Sequence, residues 1–162
     1  MLTATELAQL WTRHAAGLRL LARTRSDVAD DCVQEAFLRL LKQSEVPDDP
    51  AAWLNRVVRN LAISRHRSDQ RRRQREDIST RDRQDWFEAD SASQPGAISP
   101  DAVQLALRTL EPDVSEIVIA HLWNGLSFRQ IALAFDISAS MAHRRYLEAL
   151  SKLQRTLSEL AR

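Results

Sequence analysis

A chain of 162 residues, 44% hydrophobic and 28% charged, is long enough for one globular domain or two small ones. Three Gly and five Pro leave little punctuation for the turns of an all-β fold, so the composition leans toward helix. The net charge is only +1, the single cysteine excludes an internal disulfide, and no apolar run approaches the roughly 18 to 20 residues that cross a bilayer.

In chain order, Leu7, Leu10, Trp11, Ala15, Leu18 and Leu21 recur at helical spacing, which predicts a first helix from Thr5 to about Arg23 with Thr3 or Thr5 as cap. Ser26 and Asp27 are placed to cap a second helix that runs to about Gln43. Its buried stripe is Val33, Ala36, Phe37, Leu40 and Leu41. Leu38 falls on the opposite side, among Asp31, Gln34, Glu35, Arg39 and Lys42, where a leucine has no packing reason to be. Cys32 has no Cys or His at ligand spacing and reads as a packing residue. A third helix starts at Pro50 with Trp53, Leu54, Val57, Val58 and Leu61 on its apolar face. From about Arg75 to Ser99 periodicity fails, and the segment DSASQPGAISP has the composition of a flexible connector, Trp86 and Phe87 being its exceptions.

Beyond it, DAVQLALRTL predicts a helix ending before Pro112, and DVSEIVIAHLWNG another closed by Gly125. A helix-turn-helix pattern follows. Ser127 and Gln130 have capping-box spacing, Asp136 stands where a left-handed residue is needed, and Ser138 caps a last helix whose stripe is Ala142, Tyr146, Ala149, Leu150, Leu153, Leu157 and Leu160.

Charge is strongly segregated. Arg56 to Arg75 holds eight arginines against one acid, whereas Glu76 to Pro100 holds six acids against two arginines. Within the basic stretch Arg56, Arg59, Asn60, Ile63, His66 and Arg67 gather on the side opposite the apolar face. Arginines there supply phosphate neutralisation, Asn60 a base-edge hydrogen bond, and Ile63 an apolar platform for a displaced base. The plain alternative is a solvated arginine-rich helix end. On the last helix Ser140, His143, Arg144, Leu147 and Ser151 point away from the core, as major-groove residues would, although Glu148 on that side repels phosphate. No nucleophile triad, Gly-rich phosphate loop or metal-ligand cluster occurs, so neither an enzyme nor a cofactor or metal site is expected. Asp27, Asp30, Asp31 and Glu35 are read as acids at a helix start. The N-terminal segment lacks the charged start and apolar core of a signal peptide, and a cytoplasmic location is expected.

Three stretches together, DVADDCVQEAFLRLL, AAWLNRVVRNLAISRHRSDQRRR and LEPDVSEIVIAHLWNGLSFRQIALAFDISASMAHRRYLEALSKL, resemble the extracytoplasmic-function group of bacterial sigma factors, over nearly the whole chain apart from the connector. The resemblance implies an all-α fold of two small bundles joined by a flexible linker. Residues 1–75 would dock on the clamp helices of the largest subunit of core RNA polymerase and help melt the minus-ten element of promoter DNA. Residues 76–99 would be linker, and residues 100–162 would read the minus-thirty-five element. It implies Asp31, Gln34, Glu35 and Leu38 as the docking face, and Arg56, Arg59, Asn60, Ile63, Ser64, Arg67 and Arg71 as contacts to the non-template strand. Ser127, Arg129, Ser138, Ser140, His143 and Arg144 would be the helix-turn-helix contacts. An anti-sigma protein is a further partner that it brings in. Two departures stand out: Asp136 occupies a turn position that is usually Gly, and Met141 to Arg145 differs from the usual basic recognition sequence. Two other classes fit parts of the pattern. One is a stand-alone helix-turn-helix regulator with an N-terminal dimerisation or sensing domain, and the other a helical adaptor without a nucleic-acid role.

Overall fold

The computed structural model describes residues 1–76 and 99–160, and among them there are seven α-helices and no strand. Trp86, Phe87 and nearly all of the connector lie outside the described residues. Helix α1 (Ala4–Arg23) takes Thr3, one of the two expected caps, as its N-cap. The Thr3 hydroxyl accepts the Glu6 N–H at 3.2 Å, and the Glu6 carboxylate accepts the Thr3 N–H at 2.8 Å, a reciprocal capping box.

Helix α2 (Ala29–Leu41) departs from expectation at both ends. Val28 is its N-cap, with no side-chain cap, because the Ser26 hydroxyl is taken by the Val28 N–H at 3.3 Å in the preceding turn. Asp30 and Asp31 in the first turn offset the loss by meeting the positive end of the helix dipole. Leu41, expected in the buried stripe, is 46% exposed. It is the last residue of the helix and is turned about 80° from Val33, at the edge of what neighbouring helices cover.

Helix α3 (Pro50–Glu76) spans 27 residues, on the order of 40 Å. The Asp49 carboxylate accepts the Ala52 N–H at 3.0 Å at its start. The first three helices pack on one another around Leu18, Leu21, Val33, Leu54 and Val58, all nearly inaccessible to solvent.

In the second half α4 (Pro100–Arg108) is capped by Ser99, and α5 (Pro112–Leu122) is followed by Gly125 at φ 68°. Helix α6 (Phe128–Phe135) opens with the Ser127–Gln130 capping box and closes on Asp136 at φ 57°, ψ 48°, the left-handed residue expected of the turn. Helix α7 (Ala139–Leu160) starts with the Ser138 hydroxyl accepting the Met141 N–H at 3.1 Å. Leu160, placed in the apolar stripe by spacing, is exposed, since α7 at 22 residues outruns α4 at 9 and α5 at 11.

The halves are not separate bodies. The larger apolar cluster continues from the first three helices into Ile117, Ile119, Leu126, Ile131 and Phe135, with α1 against α5 and α3 against α6. A smaller cluster of Leu107, Leu110, Val118 and Ala149 belongs to the second half alone.

Candidate partner and nucleic-acid interfaces

The outer face of α2 is a consequence of its inner one. Burying Cys32, Val33, Ala36, Phe37 and Leu40 leaves Asp31, Gln34 and Leu38 in solvent and Glu35 partly covered. Leu38 is 51% exposed. Glu35 receives a hydrogen bond from Arg39 Nε at 2.8 Å, an i,i+4 pair that holds both side chains beside Leu38. Asp31 lies 3.8 Å from the Arg65 guanidinium of α3. Four residues expected together are thus together: one apolar side chain ringed by polar groups.

On α3 the burial of Leu54, Asn55, Val58 and Ala62 fixes which side faces out. Asn60, Ile63, Ser64, Arg67 and Arg71 line an open cleft of about 490 Å³, and Arg56 is exposed on the same helix. Ile63 is half-buried and the other five are exposed, so the cleft offers an apolar wall among hydrogen-bonding and cationic groups.

Arg59 does not join them. It turns toward the second half, where its Nε donates to Glu116 Oε2 at 2.7 Å and its Nη2 lies 3.4 Å from Asp113 Oδ1. Its guanidinium carbon sits 4.9 Å from the centre of the Phe135 ring, and the side chain is only 17% exposed. The next residue, Asn60, is rotated by about 100° and faces out.

The helix-turn-helix presents Ser127, Arg129, Ser138, Ser140, His143 and Arg144 to solvent. Three of these are partly engaged: the Ser127 and Ser138 hydroxyls accept the Gln130 and Met141 N–H groups as caps, and the Ser140 hydroxyl lies 3.3 Å from that of Ser138. His143 lies edge-on to Phe128 at 4.9 Å, and Phe128 stacks on His121 at 4.4 Å, so the exposed imidazole rests on a built aromatic support. The His121 Nδ1 is 2.7 Å from the Leu126 carbonyl, which makes it the protonated nitrogen.

The seam between the halves holds residues that spacing does not mark. Glu116, 1% exposed, also accepts from Arg25 Nε at 2.7 Å, and Arg25 pairs with Asp113. Burial works against the Arg25 charge, but the hydrogen bond and field of Glu116 more than offset it and raise its pKa. Asn124 Nδ2 donates to Asn55 Oδ1 at 2.6 Å, and Gln130 Nε2 to Asp49 Oδ2 at 2.5 Å. Asn124 Oδ1 is buried without a hydrogen-bond donor, 1.8 Å from where a Cβ on Gly17 would stand. Two signals were there to be read: a carboxylate directly before the apolar run 117–120, and a glycine in mid-helix, which costs about 1 kcal/mol against alanine.

Among the described residues no group of three or more His, Cys, Asp or Glu is disposed to hold a metal ion, and no helix is long and apolar enough to cross a membrane. Cys32 is buried, and burial pushes its thiol pKa up, away from the reactive thiolate.

Comparison with known proteins matches residues 8–72 to the family model for sigma-70 region 2 and residues 101–153 to that for sigma-70 region 4. The chain is 31% identical to the ECF RNA polymerase sigma factor SigL of Mycobacterium tuberculosis, over 97% of this chain and 92% of that protein. It is 34% identical to the probable ECF RNA polymerase sigma factor SigI of the same organism, over 83% of this chain and 51% of that one. Among solved structures, the sigma factor RpoE of Bartonella quintana, crystallised with the anti-sigma factor NepR, shares the fold at a TM-score of 0.77. The identity is 23%, and the match covers 95% of each chain.

Proposed function

The chain belongs to the sigma-70 family, as a sigma factor of its extracytoplasmic-function group serving transcription initiation, and from this premise we propose which of its faces does what. Residues 1–75 form the unit that docks on core RNA polymerase and holds the melted minus-ten strand, and residues 100–162 form the unit that reads the minus-thirty-five duplex. The stretch 76–99 joins them. The chain supplies no catalysis of its own and works in the cytoplasm, beside the polymerase.

Docking falls to Asp31, Gln34, Glu35 and Leu38, on the clamp helices of the largest polymerase subunit. The observation that carries this is Leu38, half in water on a helix whose opposite side is fully packed. An apolar anchor ringed by polar groups is how interfaces concentrate binding energy, with about 2 kcal/mol or more at a central residue.

Strand capture falls to the α3 cleft. A base unstacked from the duplex packs on Ile63, with Asn60 and Ser64 in reach of its polar edges and Arg56, Arg67 and Arg71 on phosphates. Three phosphates of a single strand give a salt slope of about −2 on a log–log plot, so doubling the salt weakens this contribution about fourfold. Ser140, His143 and Arg144 lead the duplex contacts, with Arg129 on the backbone. The Bartonella relative's complex with an anti-sigma factor supports a partner of that class for this chain as well.

The test is Leu38→Asp. Because the residue is solvated, the variant keeps its helical circular dichroism and melting temperature, and it is expected to lose co-purification with core polymerase. A folded variant that still binds would remove the docking assignment. Mobility shift of promoter DNA with and without core enzyme separates this reading from a stand-alone regulator, which needs no core.

A further inference from the structure

Beneath the exposed face of α7 lies a group of stacked rings that packing alone does not explain. We propose that these rings aim the His143 imidazole at the acceptor edge of a guanine, and that Leu147, one turn further on, meets the methyl of a thymine about two base pairs away. The inference rests on the duplex-reading role given above to the second half.

Three elements build the support. His121, near the end of α5, donates from Nδ1 to the Leu126 carbonyl at 2.7 Å, which fixes the plane of its ring. Phe128, the first residue of α6, stacks on that ring at 4.4 Å and 18°. Tyr146 of α7 closes the group, edge-on to His121 at 4.8 Å and 5.3 Å from Phe128. His143, one turn before Tyr146, stands edge-on to Phe128 at 4.9 Å and 65°. Its ring is therefore held by tertiary packing and not by α7 alone. A ring that served only to fill space would be covered. This one is exposed, and among the described residues neither of its nitrogens has a hydrogen-bond partner. A side chain held in place before binding loses less freedom on contact than a free lysine or arginine does.

The neighbours of His143 select the base. A neutral imidazole brings one N–H, and Arg144, the next residue and also exposed, brings donors only. Glu148 is turned about 140° from His143 around the helix and leaves that edge to the donors. In the major groove guanine offers two acceptors, N7 and O6, whereas adenine sets an amino donor beside its N7. Donors side by side favour guanine.

Leu147 supplies the second contact. It is 49% exposed on the same face, while Ala142 and Ala149 turn to the core. Four residues rise about 6 Å along a helix, close to two base-pair steps of about 3.4 Å. The C5-methyl of thymine is the apolar group that this groove presents. A leucine left in water on a groove-facing helix finds its partner there.

The test uses holoenzyme assembled from the full-length chain and core polymerase, on a promoter selected from a library randomised in the minus-thirty-five element. Two base analogues then remove single groups: 7-deazaguanine lacks the N7 acceptor, and deoxyuridine lacks the thymine methyl. Wild type is expected to lose about fivefold or more in affinity with 7-deazaguanine at one position. With deoxyuridine about two base pairs away it loses about two- to fourfold. His143→Ala becomes indifferent to the first analogue and stays sensitive to the second, and Leu147→Ala does the reverse. Phe128→Leu removes the ring behind His143 and is expected to lose the guanine preference with its salt dependence unchanged, whereas Phe128→Tyr keeps a ring and keeps the preference. A His143→Ala holoenzyme with the base preferences of wild type overturns the guanine contact, and Leu147→Ala that still senses the thymine methyl overturns the second. A folded Phe128→Leu variant that prefers guanine as wild type does overturns the positioning role. Wild type that selects a sequence which none of these variants alters refutes the inference and leaves the duplex-reading role intact. Holoenzyme with no preference anywhere in the element removes that role as well.

Discussion

The two halves of the molecule are built to different standards of self-sufficiency. The first three helices supply most of the larger cluster, with Leu18, Leu21, Val33, Leu54 and Val58, whereas the last four divide their apolar residues between it, with Ile117, Ile119, Leu126, Ile131 and Phe135, and a smaller cluster of Leu107, Leu110, Val118 and Ala149. The difference teaches where an interface is possible. The half that fills most of the larger cluster can spend Leu38 on an outward face and still fold, while the half that splits its apolar residues depends on its neighbour for part of its core.

Four measurements bear on that contrast. The largest effect is expected from Leu54→Ala, which empties a fully buried site in the larger cluster and costs about 2 to 5 kcal/mol in denaturant unfolding. Leu110→Ala, in the smaller cluster and not fully buried, falls at or below the lower end of that range. Equal losses would erase the distinction. The two capping boxes come next. Thr3→Ala and Ser127→Ala each remove one reciprocal cap and are expected to cost about 1 kcal/mol, with faster hydrogen exchange confined to the first turns of α1 and α6 respectively. Spread of the Ser127→Ala effect into α3 would mean that α6 and α3 open as one unit across the cluster they share.

Asp136→Gly is expected to stabilise the second half by at most about 1 kcal/mol, because glycine adopts the left-handed conformation without a Cβ clash, though the unfolded chain gains freedom that offsets part of it. The smallest effect is a pH slope in the first half. Burial, then the charge of Arg13, lowers the His14 pKa below 6.5, with Asp49 opposing. The native state thus holds His14 neutral. Above about pH 6.5 both states are neutral and stability is flat. Below it the unfolded chain takes up the proton first, so stability declines until the native pKa is reached. Melting temperatures from pH 8 to pH 5 check this, and His14→Gln should flatten the decline.

Much of the fold was legible because it is local. The Ser127 capping box, the left-handed Asp136 and the outward Leu38 follow from spacing, and spacing survives into the folded state. What was not legible depends on who stands opposite. A helical wheel sets Arg59 beside Asn60 and Arg56, but only tertiary packing supplies Glu116, 57 positions away, and Arg25, 91 positions from the same carboxylate. Ser26 failed as a helix cap for a similar reason: its hydroxyl had a competing donor in the turn itself. Of the residues grouped from sequence, those of the α2 face and the α3 cleft lie together, and Arg59 stands apart because Glu116 and Asp113 hold its guanidinium.

The length of α3 carries one more consequence. Its buried residues end at Ala62, so the last four turns lie beyond the core, held by backbone hydrogen bonds and a few ion pairs such as Arg73 with Asp27. Along that stretch Arg67, Arg71 and Arg75 follow one another at four-residue intervals and repel, by a few tenths of a kcal/mol per step. A polyanion laid on this end cancels the repulsion it would otherwise fray under. In the strand-binding role proposed above, the end of α3 would thus draw part of its stiffness from its ligand.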